Sequence, residues 1–165
     1  MKKILGIDPG TRLAGYSIVA LPLGKYEPHL VEAGVIRLDT NVSVTKRLVQ
    51  LYDDIRDIMA EFEPTHLAIE KLFAHYKHPR TAILMAHARG VILLAAEQRK
   101  MQVINLAATE VKKSITGNGH ATKEQMQLAV QSIFRLKTPP TPVDVSDAIG
   151  IATTCARRMA TASLI

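Results

Sequence analysis

The run KILGIDPG, residues 3–10, passes from continuous apolar character to Asp8-Pro9-Gly10 in one step. A short apolar run bounded by turn residues reads as a buried strand, here from Lys3 to Ile7. Proline drives the residue before it toward extended backbone, and Pro-Gly favours a type II turn. Asp8 is thus presented at the end of a buried strand. The same punctuation recurs at other acids. HLAIE, residues 66–70, ends in Glu70 and opens into a basic segment, while PVDVSD, residues 142–147, sets Asp144 and Asp147 at the start of an alanine-rich helix. Acids at such places can gather at one edge of a sheet, and gathered like charges are costly unless a cation holds them.

Working outward, Gly15 to Leu21 and His29 to Leu38 read as two more strands, joined through Pro22, Gly24 and Pro28 as a hairpin. Ser43 is placed to cap a helix to about Phe62, in which Leu48, Leu51, Tyr52, Ile55, Ile58, Met59 and Phe62 recur at helical spacing and Pro64 marks the end. His66 to Glu70 is a fourth strand. A polar loop follows, and Pro79 opens a long helix to about Lys100. Gln102 to Asn105 is a fifth strand. Helices are expected near Thr109–Ile115 and Lys123–Phe134, separated by Gly117-Asn118-Gly119-His120. Pro139, Pro140 and Pro142 form a stiff linker into a last helix from Asp144 to about Met159. The natural assembly is an α/β fold: three antiparallel strands extended by two parallel ones, flanked by helices. There is no internal repeat, and residues 1–165 read as one domain. The long helix carries apolar residues on more than one face. Either the domain folds around it, or one face meets a second copy of the chain.

Bulk properties narrow the chemistry. A hydrophobic fraction of 47% excludes broad disorder, and a net charge of +6 favours phosphate-rich partners, although solubility alone also accounts for it. The single cysteine, Cys155, excludes an internal disulfide and a cysteine-built zinc site, and fits a reducing compartment. Asp8-Pro9 interrupts the N-terminal apolar run too early for a signal peptide, and no stretch approaches the roughly 20 apolar residues of a membrane span. The expectation is a cytoplasmic protein with no membrane association.

Asp144 and Asp147 lie three apart and share a helix face, where the helix dipole favours anions. Helix capping is the plainer reading of this pair. Asp8 alone can be a turn residue, and Glu70 alone can pair with Lys71 or Arg12. One metal site accounts for all four acids together. Oxygen-only ligation selects Mg²⁺, with Mn²⁺ as a substitute, and two ions would serve phosphodiester hydrolysis.

Taken together, GIDPGTR at 6–12, AIEKLF at 68–73, ARGV at 88–91, EVKKSITGNGHATKEQ at 110–125 and DVSDAIGIA at 144–152 resemble the RuvC-type Holliday junction resolvases of the ribonuclease H-like superfamily. The resemblance spans nearly the whole chain, and the ordered set is more specific than any one motif. It implies a ribonuclease H-like sheet and a homodimer that nicks opposing strands of a four-way DNA junction using Mg²⁺, working beside a branch-migration motor complex. It puts Asp8, Glu70, Asp144 and Asp147 at the catalytic, metal-holding positions; some relatives carry histidine in place of Asp144. It puts Lys112 and Lys123 near the scissile phosphate, with Lys113 a competitor for the first role. It makes Phe73 an aromatic wedge for the junction crossover. Phe73 and Tyr76 stand among Lys71, His75, Lys77, His78 and Arg80, a composition suited to stacking on bases while cations meet phosphates. Packing of Phe73 under its own loop is the alternative.

Weaker signals are read modestly. Gly117 and Gly119 either let backbone N–H groups approach a phosphate or form an ordinary turn. His75 and His78 lack partner ligands and are expected to be solvated or phosphate-facing. Arg157 and Arg158 are expected to favour the last helix's C-terminal dipole, and Cys155 to be an inert packed thiol. Competing functions are an actin-like ATPase, for which 165 residues leave no second domain, a ribonuclease of the same superfamily, and a non-catalytic DNA-binding module.

Overall fold

The computed structural model describes residues 1–72 and 79–162. Strands β1 (Lys2–Asp8), β2 (Leu13–Leu21), β3 (His29–Arg37), β4 (His66–Glu70) and β5 (Gln102–Leu106) form one sheet in the order β3-β2-β1-β4-β5. β1, β2 and β3 pair antiparallel, while β4 on β1 and β5 on β4 are parallel. The helices are α1 (Val44–Phe62), α2 (Pro79–Gln98), α3 (Ala108–Thr116), α4 (Lys123–Phe134) and α5 (Val143–Ala162). This is the mixed sheet expected from the sequence. β5 reaches one residue further than expected because the Leu106 carbonyl accepts the Lys71 N–H at 2.8 Å.

Strand alternation divides the core into two layers. Leu5, Ile7, Ile18, Leu67 and Ile69 face α1 and α2, meeting Leu51, Ile55 and Met59 from the first and Ala88, Ile92, Ala95 and Ala96 from the second. Ile4, Val19, Leu21 and Ala68 face α5, which is covered on its far side by Val111, Ile115, Met126 and Val130 of α3 and α4. Ser43 caps α1 by accepting the Lys46 N–H, and Glu63 ends the helix in the left-handed conformation just before Pro64.

The helix around which the chain folds is α5, not α2. Twelve of its residues, from Val145 to Ala160, are buried. Small residues let it lie close on the sheet. A Cβ on Gly15 would stand 2.0 Å from the Asp144 carbonyl oxygen, and one on Gly6 2.5 Å from that of Ala148. Between them the Ser17 hydroxyl donates to the Ala148 carbonyl at 2.9 Å. α2 buries only one side; Ile83 and Leu94 are exposed.

Two sequence expectations change. Gly10 does not take the positive φ of a type II turn. Its lack of a side chain is needed because a Cβ would lie 1.7 Å from the Leu13 carbonyl oxygen, where the chain doubles back into β2. Arg157 and Arg158 do not serve a helix terminus, since α5 runs on to Ala162. Arg157 binds both carboxylate oxygens of Glu27 and the Ser114 carbonyl, and Arg158 pairs with Glu110. These bonds tie the β2–β3 hairpin and α3 to α5. Cys155 is buried, as expected of an inert thiol, and burial pushes its pKa up to about 12.

The close seat of α5 gives a direct test. Gly15→Ala and Gly6→Ala should each cost about 1–3 kcal/mol in urea unfolding, the usual penalty for overpacking. Wild-type stability in both would show that α5 can move off the sheet freely.

Candidate active site

Asp8 ends β1, Glu70 ends β4, and Asp144 and Asp147 lie in the first turns of α5. In parallel neighbours the C-terminal ends coincide, so β1 and β4 deliver Asp8 and Glu70 to the same sheet edge. The parity that puts Ala68 in the α5 layer puts Glu70 there too. Gly15 pairs with Asp8 across β1 and β2 and lets the Asp144 backbone come down beside it. The start of α5 is further held where the Pro140 carbonyl accepts from Gln127 of α4 at 2.8 Å and from the Ser146 hydroxyl at 3.3 Å.

These elements enclose a cleft of about 270 Å³ lined by Asp8, Glu70 and Asp147, by Lys112 and Lys123, and by Ala108, Val111, Met126 and Ile151. Asp144 is not in its wall but is close enough to act electrostatically on Asp8 and Asp147. Lys112 is half-buried on α3 and Lys113 is exposed outside the cleft wall, so the two candidates point differently. Lys123 is the first residue of α4, held by a capping box in which Thr122 and Gln125 exchange hydrogen bonds of 2.9 and 3.2 Å. Gly117 closes α3 in the left-handed conformation, and the following turn is braced by Thr116, Asn118 and His120. Arg80 is exposed at the start of α2, away from the cleft lining. Phe73, Tyr76 and Lys77, with His75 and His78, lie outside the described residues.

The carboxylates are held against their own charge. Burial, then the charges of Asp147, Glu70 and Asp144, push the Asp8 pKa up to about 8, with Lys123 opposing. Burial and Asp147 raise Glu70 against Lys112. Burial also raises Asp147, with Lys123 acting the other way ahead of Asp144. Among the described residues, Glu70 forms no ion pair with Lys71 or Arg12, and neither Asp144 nor Asp147 makes a side-chain capping bond. The structural alternatives for these acids therefore find no support.

A hard divalent cation suits this donor set: carboxylate oxygens, no thiol, no imidazole in the wall, and an Asp8 whose pKa is raised by burial first and by the neighbouring negative charges second. Among the described residues no three His, Cys, Asp or Glu side chains close into a ready-made cage. Magnesium does not require one, since it retains waters and shares one or two carboxylates with substrate phosphates.

Two arginines not anticipated as part of this region hold its backbone. Arg47 of α1 donates to the Thr11 carbonyl at 3.2 Å, in the turn after Asp8, and its buried Nε has no partner among the described residues. Arg89 of α2 donates to the Glu70 carbonyl at 3.4 Å and to the Asn105 side chain. ARGV contained the second of them, but nothing in its composition points to a carbonyl across the fold.

A family model described as crossover junction endodeoxyribonuclease RuvC matches residues 4–155. This chain belongs to the RuvC family. A crossover junction endodeoxyribonuclease of Rhodopirellula baltica is 43% identical over 151 residues, covering 90% of this chain and 83% of that relative. A RuvC of Thermus thermophilus, solved in complex with Holliday junction substrate, superposes with a TM-score of 0.89 at 28% identity, covering 99% of this chain and 98% of the other. A yeast mitochondrial Holliday junction resolvase, at 12% identity and a TM-score of 0.71, shares the fold. RuvC membership gives the chain its class, an endodeoxyribonuclease of the ribonuclease H-like fold.

The charge balance of the cleft is testable by pH. Folded Asp8 keeps its proton to about pH 8, whereas in the unfolded chain it ionises near 3.8. The folded state thus binds more protons between those values, and metal-free stability must fall as pH rises through that window. Asp8→Asn should flatten the profile and, at pH 8 in chelator, raise Tm by about 2–6 °C. A thermal-shift series giving the wild-type profile for the variant would rule out Asp8 as the responsible group.

Proposed function

We propose that the chain is a structure-selective endonuclease that resolves four-way DNA junctions by paired symmetric nicks, acting as one nuclease domain in recombination and repair. The observation that carries this reading is the juxtaposition of Asp8, Glu70 and Asp147 with Lys112 and Lys123 in one cleft. Asp8, Glu70, Asp144 and Asp147 would hold Mg²⁺, or Mn²⁺ in its place, as two ions per site. The metal supplies positive charge for the phosphodiester oxygens and for the attacking water.

The chain's own groups prepare the rest. Lys112 and Lys123 draw a DNA phosphate toward a wall of otherwise repelling carboxylates. The N-terminus of α5 adds its dipole at Asp144 and Asp147. Ala108, Val111, Met126 and Ile151 give the cleft an apolar floor that limits water and strengthens these charges. Phe73, Tyr76, Lys77 and Arg80 extend the DNA contact beyond the cleft, with Phe73 stacking at the crossover. Cooperation with a branch-migration motor and a cytoplasmic setting complete the proposal. Among the described residues no helix is long and apolar enough to cross a membrane.

Cleavage of a labelled four-way junction, compared with duplex DNA and an RNA–DNA hybrid, tests the reading. Paired symmetric nicks are expected in the junction alone, and none in chelator. Cutting of the hybrid would favour the ribonuclease alternative, and binding without cutting a silent DNA-binding module. Asp8→Asn, Glu70→Gln and Asp147→Asn should each bind the junction within about threefold of wild type yet cut at least about 100-fold more slowly. Retained cutting removes that residue from the site.

A homodimer, matching the approximate two-fold symmetry of a junction, is the proposed assembly, and the outer face of α2 is its proposed seam. Ile83 and Leu94 are 58% and 54% exposed. They lie about three helical turns apart on one face, and the Cβ position of Gly90 between them meets nothing. Leu94→Glu should weaken the dimer at least about tenfold, since burying one leucine contributes about 1.5–3 kcal/mol. An unchanged sedimentation profile would move the seam elsewhere.

A further inference from the structure

We propose that Arg89 is a positioning residue that fixes the end of β4, and with it the Glu70 carboxylate, by clamping the two parallel strands together from the face opposite the cleft. The inference rests on the reading of Glu70 as part of the catalytic cleft. Its geometry stands apart from that reading.

β4 stops at Glu70, and the last ladder bond joining it to β5 is Lys71 N–H to the Leu106 carbonyl. The Glu70 carbonyl lies just at that limit. Arg89 Nε donates to it at 3.4 Å, while Nη2 of the same guanidinium donates to Asn105 Oδ1. Asn105 pairs with Ile69 in the β4–β5 register and so shares the α1/α2 face of the sheet. Glu70 shares the other face with Ala68 and lines the cleft. Arg89 therefore cannot meet a phosphate bound in the cleft; it acts through the backbone that carries Glu70.

A guanidinium suits this task. Its planar fork makes two directed bonds from one rigid group, here one to each strand, whereas an ammonium is a single point of donation on a flexible stem. Neither acceptor is a carboxylate, so the bonds do not need a partner charge to hold them. Beyond Lys71 the chain enters the basic segment at 71–80. Anchoring on Ala88 and Ile92, buried neighbours in α2, gives the clamp a fixed base.

The test uses the full-length protein with Arg89→Ala, Arg89→Lys and Asn105→Ala. At saturating four-way junction, Arg89→Ala should lower the single-turnover rate about tenfold, as loss of an outer partner of a catalytic ligand does, with the junction Kd within twofold. Without DNA, the Lys71 amide should exchange at least tenfold faster by NMR, and a higher Mg²⁺ concentration should be needed for half-maximal thermal stabilisation. Arg89→Lys should not rescue the rate. Asn105→Ala, at an exposed side chain that does not threaten folding, should speed Lys71 exchange and be non-additive with Arg89→Ala. If Arg89→Ala does not fold, the other two variants carry the same expectations. A rate at saturation equal to wild type, with the loss confined to Kd, would make Arg89 a DNA contact and overturn the clamp. So would unchanged Lys71 exchange in Arg89→Lys and Asn105→Ala. Cutting by Glu70→Gln would instead overturn the reading of Glu70, whatever the Arg89 variants do.

Discussion

The cleft depends on how closely α5 can lie on the sheet. Its carboxylates come from a helix, those opposite from two strand ends, and the distance between the two sources is set by what lies under the helix. Gly6, Gly15 and Ser17 are the strand residues there: two without side chains, the third using its hydroxyl to bind the Ala148 carbonyl. Ordinary strand-forming residues, β-branched or aromatic, would satisfy β1 and β2 better as isolated strands. They would also lift α5 and carry Asp144 and Asp147 away from Asp8 and Glu70. The loss of strand propensity at these positions is a cost of assembling the acids.

That assembly opposes folding in the absence of a cation. Burial and mutual repulsion leave Asp8 protonated to about pH 8, so the packed core of α5 has to supply the free energy that holds like charges together. The lysines relieve this only in part, and they do so from α3 and α4, the outer layer that covers α5. Arg158 to Glu110, and Arg157 to Ser114, fasten α3 to α5. The same outer layer therefore both completes the core and presents Lys112 to the acids it counterbalances.

Much of this was readable from residue order. Asp8 and Glu70 stand at the ends of apolar runs whose length and flanking turns mark strands, and alternation alone assigned Glu70 its face. The helix phase could not be read so directly. Lys112 and Lys113 are adjacent and chemically alike, and only the burial of Val111 and Ile115 against α5 turns the first into the cleft. That the domain folds around α5 and not α2, one of the two alternatives left open for α2, was hidden for a related reason. Large aliphatic residues drew attention to α2, although the small residues of α5 are what a helix needs to sit deep between a sheet and two other helices. Gly10 was read for backbone freedom, whereas it is required by the close approach of the Leu13 backbone, three residues on, which no dipeptide rule contains.

The arginines were illegible for a deeper reason: each acts on a backbone carbonyl, which every residue has and no motif records. Arg47 reaches the turn after Asp8 and Arg89 the end of β4, one from α1 and one from α2. The two helix layers thus divide the work. The α5 layer brings charge to the sheet edge, and the α1/α2 layer bonds to the backbone at the strand ends that bear the like charge facing it. A repulsive cluster needs both, because acids free to swing apart would relieve their repulsion by moving, and the electrostatic pull on a cation would vanish with the strain. Rigid strand ends convert that repulsion from a force that opens the site into one that only an incoming positive charge can relieve.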